Sequence, residues 1–282
     1  MITISYWDVV KKQSVFRDIK FTAFSGGEEH INITPFNAPL ITIKVQLTSS
    51  SEIMQLLLVT DSLRRMGNQH INLVMPYIPY ARQDRVCQIG DSFSLKVFAN
   101  LINSQNYERV HVADSHSSVA TALLNNVVES PQSKFAKSLR KYCNKNNIEP
   151  YDYVIAPDAG ASKKAVDFAS VLNEKDWNVK VIQALKIRDK SGEIVSTTVL
   201  HDDFTGKRCL MVDDICGSGS TFIALTNALK DRGATFIGLF VTHGIFSQGV
   251  DILFENGVST IYTTDSFKQR SAHVRVIHNF ID

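Results

Sequence analysis

Short apolar runs alternate with amphipathic stretches along almost the whole chain. INLVMPY (71–77), RVHVAD (109–114), DYVIAPD (152–158), VKVIQAL (179–185), CLMVDD (209–214) and TFIGLFVTHG (235–244) are rich in Val and Ile. Runs of this kind, unbroken by polar alternation, predict strands buried on both faces of a parallel sheet. Helical patterns lie between them over 50–66, 92–103, 162–173 and 220–231. The first opens on serines, carries Glu52 in its first turn and closes on Arg64 and Arg65 before Gly67. That order suits the helix dipole and a glycine stop. Strand and helix in alternation predict an α/β fold with right-handed crossovers. The stretch SPQSKFAKSLRKYCNKNNIEP (130–150) interrupts the rhythm and reads as a domain link running into the first helix of a second half. Residues 1–45 read as β-rich, with a hairpin in FTAFSGGEEHINI around Gly26-Gly27.

Composition narrows the class. A chain of 282 residues suggests two domains at roughly 150 residues each. With 44% hydrophobic and 21% charged residues it is ordinary globular sequence rather than disordered. Thirty basic against 28 acidic residues give a formal charge of +2, which predicts no nucleic-acid surface. Cys87, Cys143, Cys209 and Cys216 show no CxxC spacing, which argues against a zinc site or a disulfide scaffold and fits a reducing compartment. No apolar run approaches the roughly 20 residues of a membrane span, and MITISYWDVVKK is not patterned as a leader. A soluble cytoplasmic protein with no membrane partner is the expectation.

The candidate chemistry sits where strands end. In LMVDDICGSGST (210–221) an apolar strand runs into two acids, then a small-residue loop that opens a helix around Thr221. Gly217 and Gly219 allow unusual backbone angles, so successive amides can turn into one concavity. Ser218, Ser220 and Thr221 add hydroxyl donors, and the helix N-terminus favours an anion. A phosphate monoester suits that loop. Asp213 and Asp214 suit the vicinal hydroxyls of a sugar, or a magnesium ion reached through water. This is not a Walker loop, since no GK[ST] follows. The glycines alone are equally a capped turn; the paired acids favour the phosphate reading.

In MPYIPYARQDR (75–85), Pro76 and Pro79 stiffen a strand exit and Arg82, Gln83, Asp84 and Arg85 cluster beyond it. Ligands of open α/β sheets bind at this edge, and a guanidinium grips phosphate oxygens in pairs. Alone, ARQDR is as well read as a solvated loop. Asp114 and His116 in ADSHSS, and Asp158 with Gly160 and Lys163 in APDAGASKK, also follow strands. A His and an Asp from separate strand ends can share a magnesium ion, against the plainer reading of a satisfied buried histidine. Lys186 and Arg188 leave a strand into a polar segment, 188–204, as surface charges or as catalytic cations.

The ordered set PYIPYARQDR, ADSH, PDAG, LKIR, VDDICGSGST and VTHGIFSQG resembles the ribose-phosphate diphosphokinase (phosphoribosyl pyrophosphate synthetase) family from about residue 20 to about residue 280. The resemblance implies two phosphoribosyltransferase-like (type I) α/β domains, 1–134 binding ATP and 135–282 binding the sugar phosphate, with parallel sheets flanked by helices and the active site between them. It implies transfer of the diphosphoryl group of ATP to the anomeric hydroxyl of ribose 5-phosphate, with magnesium. Arg82, Gln83 and Asp84 would meet ATP, and Phe24 and Glu28 would hold adenine in a neighbouring subunit's site. His116 and Asp158 would hold the magnesium ion, and Lys186 and Arg188 would lie on a catalytic flexible loop. Asp213 and Asp214 would bind the ribose hydroxyls, and Gly217, Ser218, Gly219, Ser220 and Thr221 the 5-phosphate.

Departures from the family pattern keep other readings open. Gly217 stands where synthetases usually carry Asp, which gives a smaller, less acidic loop and admits ADP-ribose as an alternative acceptor, yielding ADP-ribose pyrophosphate. VCQIGDSFS (86–94) lacks the basic residues of a phosphate and ADP allosteric site, so that regulation is not expected. Gly26 stands where relatives often have Asp or Asn, so one adenine contact is expected to be missing. The last residues, HNFID, come early for the family, which leaves assembly open between a dimer and a hexamer. An inactive regulatory subunit and a phosphoribosyltransferase that consumes the activated sugar are the remaining alternatives. The first would tend to lose the loop cations, which are present here. The second leaves PYARQDR unexplained.

Overall fold

The computed structural model describes residues 1–174, 177–188, 194–201 and 203–280. The chain divides into two compact units, Met1–Ser130 joined by Phe280, and Pro131–Asn279. The first holds β1 (Ile2–Asp8), β2 (Gln13–Arg17), β3 (Ile19–Ala23), β4 (Glu29–Ile33), β5 (Ile41–Val45), α1 (Ser50–Arg65), β6 (Ile71–Val74), α2 (Ser94–Asn103), β7 (Arg109–Ala113), α3 (Ser118–Leu123) and β8 (Val127–Ser130). The second holds α4 (Ser133–Lys145), β9 (Tyr153–Ala156), α5 (Ser162–Leu172), β10 (Lys180–Arg188), β11 (Ile194–Val199), β12 (Arg208–Cys216), α6 (Ser220–Lys230), β13 (Phe236–Gly244), α7 (Asp251–Glu255), β14 (Thr260–Thr264) and β15 (Val274–His278).

In the first unit six strands run in the order β2-β1-β5-β6-β7-β8. β5 to β8 are parallel, and β1 is antiparallel to both its neighbours. β5 alternates buried and half-buried residues, so one face carries the core. Ile41, Ile43, Leu73 and Ile71 meet Leu56, Val59 and Leu63 of α1 in that core. α1 starts as its sequence pattern predicts: the Ser49 side chain accepts from Glu52 N–H, and Glu52 reaches back to Thr48. The predicted hairpin is β3 paired with β4, closed by Phe24 N–H to Glu28 O at 2.9 Å and Gly27 N–H to Phe24 O at 2.8 Å.

In the second unit seven strands run β11-β10-β9-β12-β13-β14-β15, all parallel except the β10–β11 pair. β9 is buried throughout and β12 and β13 nearly so, as unbroken apolar runs require. Burying such a strand removes about 25 cal/mol of cost for each Å² of apolar surface, so these three strands anchor the loops that leave their C-terminal ends.

Several expectations need correction. The strands starting at 71 and 152 stop at Val74 and Ala156, before Pro76 and Pro157. A proline supplies no N–H to a ladder, which ends these strands early. The polar segment expected over 188–204 contains β11, whose Ile194, Thr197, Thr198 and Val199 are β-branched and pair with β10. β8, β14, β15, α3 and α7 were not anticipated; each is only four to six residues long, too short to show a clear hydrophobic period. Among the described residues no helix is long and apolar enough to cross a membrane.

Candidate active site

In the first unit the segment after β6 is fixed by its backbone. Tyr80 adopts a left-handed φ of 63°, and its carbonyl accepts Gln83 N–H at 2.8 Å. Ile78, Ala81 and Asp84 turn inward and are buried, while Arg82, Gln83 and Arg85 stay exposed. This alternation presents Arg82 and Gln83 outward. Asp84 behaves differently. Arg85 Nε donates to its Oδ1 at 2.8 Å and the second guanidinium nitrogen to Oδ2 at 3.2 Å. The Arg85 guanidinium therefore holds the Asp84 carboxyl down to about 2. The role that resemblance gave Asp84, contact with ATP, thus falls on a side chain already committed to Arg85.

His116 is exposed and close enough to Asp84 to help lower its pKa. The plainer reading of His116 as a buried histidine is therefore corrected. Ser115, beside it, donates from N–H and Oγ to one oxygen of Glu129 at 2.7 and 2.6 Å, which ties the turn after β7 to β8. At the hairpin tip Phe24 is 62% exposed, 5.7 Å from the His30 ring. A side chain at Gly26 would meet Glu28 Oε2 at 3.0 Å. Glu28 thus occupies the space that a larger residue there would claim. Glu29 docks the hairpin on α1 by accepting from Ser51 and, at 2.9 Å, from Gln55.

In the second unit three acids converge at strand ends. Asp158 follows β9 and accepts Ala161 N–H at 3.2 Å. Ser162 Oγ ties its carbonyl, at 3.3 Å, to Gln183 of β10, at 2.9 Å. Asp213 and Asp214 lie within β12, and Asp214 N–H donates to Asp213 Oδ1 at 2.8 Å. Enclosure of the Asp213 carboxyl, then the charges of Asp214 and Asp158, push it well above the ordinary carboxylate range. Lys164 Nζ stands 3.8 Å from Asp214 Oδ2 and partly offsets this charge. Nothing in the sequence singled out Lys164; only the folding of α5 beside β12 places it there.

The loop after β12 differs in detail from expectation. Its left-handed residue is Gly219, at φ 91°, and α6 begins at Ser220 with no side-chain cap. Helix α6 thus starts with uncapped amides, as an anion site requires. Ser218 and Ser220 are exposed, with their hydroxyls 3.4 Å apart, and Thr221 is half-buried. Gly217 contributes through its carbonyl, which accepts Ser247 N–H at 2.9 Å. For Lys186 and Arg188 the backbone is described, in β10 against Thr197 and Ile194; their side chains lie outside the described residues. The structure thus groups Arg82, Gln83, Asp84 and His116 in one unit and Asp158, Asp213, Asp214 and residues 217–221 in the other.

Residues 129–269, which carry most of this parallel sheet, the acid pair, the left-handed glycine and the bare helix start, match the phosphoribosyl transferase domain family. Residues 14–105 match the N-terminal domain of ribose phosphate pyrophosphokinase. The chain belongs to the ribose-phosphate pyrophosphokinase family. It is 30% identical over 249 residues to the ribose-phosphate pyrophosphokinase of Cereibacter sphaeroides, covering 87% of this chain and 69% of that one. The Pyrococcus furiosus ribose-phosphate pyrophosphokinase is 24% identical over 274 residues, 97% of this chain and 94% of its own. The fold is that of the phosphoribosylpyrophosphate synthetase of Mycobacterium smegmatis, with a TM-score of 0.80 at 22% identity over 94% of this chain and 87% of that one.

Proposed function

We propose that the protein transfers the diphosphoryl group of ATP to the anomeric hydroxyl of ribose 5-phosphate, releasing AMP. The observation that carries this is the second unit's loop: Asp213 and Asp214 standing before the left-handed Gly219 and the uncapped start of α6. Residues 217–221 take the 5-phosphate through amides and hydroxyls, and the acid pair accepts hydrogen bonds from the ribose hydroxyls. The first unit serves ATP. Arg82 and Gln83 contact it directly, and Asp84, neutralised by Arg85, fixes their segment from beneath. Phe24, a large aromatic exposed at a hairpin tip, stacks on adenine beside Glu28, in a site completed by a second copy of the chain.

The reaction needs no covalent intermediate. The anomeric oxygen attacks the β-phosphorus in line, the new O–P bond forms as the bond to the α-phosphate oxygen breaks, AMP leaves, and the hydroxyl proton passes to solvent. Catalysis is alignment and charge neutralisation. Lys186 and Arg188 steady the transferred group as its charge redistributes. Among the described residues no three His, Cys, Asp or Glu side chains form a ready cage for a metal ion. The accumulated carboxylate charge around Asp213 still fits a hard cation that keeps waters and takes few protein ligands. Asp158 in the second unit and His116 in the first are the residues that the family resemblance would give to magnesium, whose charge would offset that of the triphosphate.

The test is direct. Purified protein is incubated with ATP and ribose 5-phosphate, and separately with ATP and ADP-ribose, and products are resolved by mass. AMP with phosphoribosyl pyrophosphate supports the assignment; product only with ADP-ribose moves it to the alternative acceptor; AMP from neither overturns it. Lys186→Ala is expected to lower turnover by roughly 10³-fold or more with the circular dichroism spectrum unchanged.

A further inference from the structure

The stretch that follows β13 has no role in the chemistry above, yet it touches the phosphate loop at every turn. Ile245 N–H and Phe246 N–H both donate to Cys216 O, at 3.0 and 3.1 Å, and Ser247 N–H donates to Gly217 O at 2.9 Å. These three bonds draw the carbonyls at the head of the loop toward residues 245–247. A peptide unit that turns its carbonyl one way turns the next amide the other, which leaves N–H groups to face a ligand. On the far side Gly219 seats against Leu253, where a Cβ would come within 3.0 Å of Cδ2. The loop is therefore held by one continuous segment, residues 244–253.

That segment is itself tightly specified. Phe246 adopts a left-handed φ of 46° although it is not glycine, and the residue is only 9% exposed. A strained backbone of this kind persists only where its surroundings over-determine it. Gly244 is one of those surroundings. A Cβ there would collide with the Phe246 ring at Cε2, would stand 2.9 Å from its Cζ and 3.0 Å from Thr263 Oγ1. Gln269 Nε2 donates to the Gly244 carbonyl at 2.9 Å and fixes the turn from β14's side.

We infer that residues 244–247 are a positioning clamp for the sugar-phosphate loop, and that Gly244 is the residue on which the clamp depends. The inference rests on the assignment of residues 217–221 to the 5-phosphate. Gly244 touches neither substrate; it acts through Phe246 and the carbonyls of Cys216 and Gly217.

The experiment compares wild type, Gly244→Ala, Phe246→Gly and the double variant. Phe246→Gly keeps the left-handed turn and its N–H while removing the ring that the new methyl would strike. Each protein is titrated with ribose 5-phosphate by calorimetry and assayed for KM of both substrates, with circular dichroism as the folding control. Gly244→Ala is expected to weaken ribose 5-phosphate by roughly 10²-fold, the scale of an ångström-sized misplacement, and to leave the KM for ATP unchanged. The double variant should return to the affinity of Phe246→Gly. Unaltered ribose 5-phosphate affinity in Gly244→Ala would overturn the clamp. So would parallel loss of both substrates with no rescue, since that is the pattern of general unfolding. If wild type itself fails to bind ribose 5-phosphate, the functional assignment falls and the clamp's role with it; wild-type binding with an indifferent Gly244→Ala sinks the clamp alone.

Discussion

Asp84 and Asp213 are both carboxylates close to the C-terminal end of a parallel strand, one in each unit, and their surroundings drive them in opposite directions. Asp84 is buried but forked by a guanidinium, and its pKa falls to about 2. Asp213 is enclosed with two further acids, and its pKa rises. The first arrangement is complete as it stands, so Asp84 adds to stability. The second has only Lys164, 3.8 Å from Asp214, as a partner of opposite charge that partly offsets the cluster, and it is the place our proposal gives to the ribose hydroxyls. A carboxylate held down by an opposite charge is accounted for by that partner, and an acid raised by burial and like charge is a candidate for ligand contact.

Four changes break or sharpen that contrast, given from the largest expected effect to the smallest. Asp213→Asn keeps the oxygen that accepts Asp214 N–H and removes the acid. It should reduce kcat/KM for ribose 5-phosphate by about 10²-fold or more, while the melting temperature of the ligand-free protein rises. A fall in melting temperature would put Asp213 in the same class as Asp84. Lys164→Met should raise the KM for ribose 5-phosphate about tenfold by leaving Asp214 uncompensated, with Lys164→Arg restoring it; equal behaviour of the two variants would mean that the ion pair is only a surface contact. Arg85→Ala strands a buried carboxylate and should cost about 1–3 kcal/mol in denaturant unfolding, with little change for ribose 5-phosphate.

The smallest effect is in acid. A depressed folded pKa makes Asp84's contribution fully present above its ordinary 3.8 and lost as the pH falls to about 2. Asp213 has the opposite sign: its raised folded pKa means that stability is lost as the pH rises from the ordinary 3.8 through the folded value. Stability curves of Asp84→Asn and wild type should therefore converge below pH 2 and separate above 4. Curves that stay parallel over that window would remove the ion pair's contribution.

Much of this was legible before any coordinates. The buried strands β9, β12 and β13 read as unbroken apolar runs, and the acid pair with its Gly and Ser residues read as a phosphate loop, because a strand, a turn and a helix start are local patterns. The hairpin at Gly26-Gly27 was equally plain. What the residues alone did not reveal is where a left-handed angle falls. Both Gly217 and Gly219 permit it, and Gly219 takes it because Leu253 and the 245–247 turn shape the loop around it.

The amino-acid sequence by itself determined the α/β class, the order of strand-end motifs and the candidate residues of both units, since each depends on neighbours within a few positions along the chain. The tertiary structure decided which charges meet and which carbonyls are held: Lys164 beside Asp214, and Ile245, Phe246 and Ser247 against Cys216 and Gly217. Arg85 on Asp84 is a contact between adjacent residues, but its consequence came from burial. Burial and long-range pairing are set when strands choose partners across the sheet, and that choice is made by the whole core rather than by any local stretch.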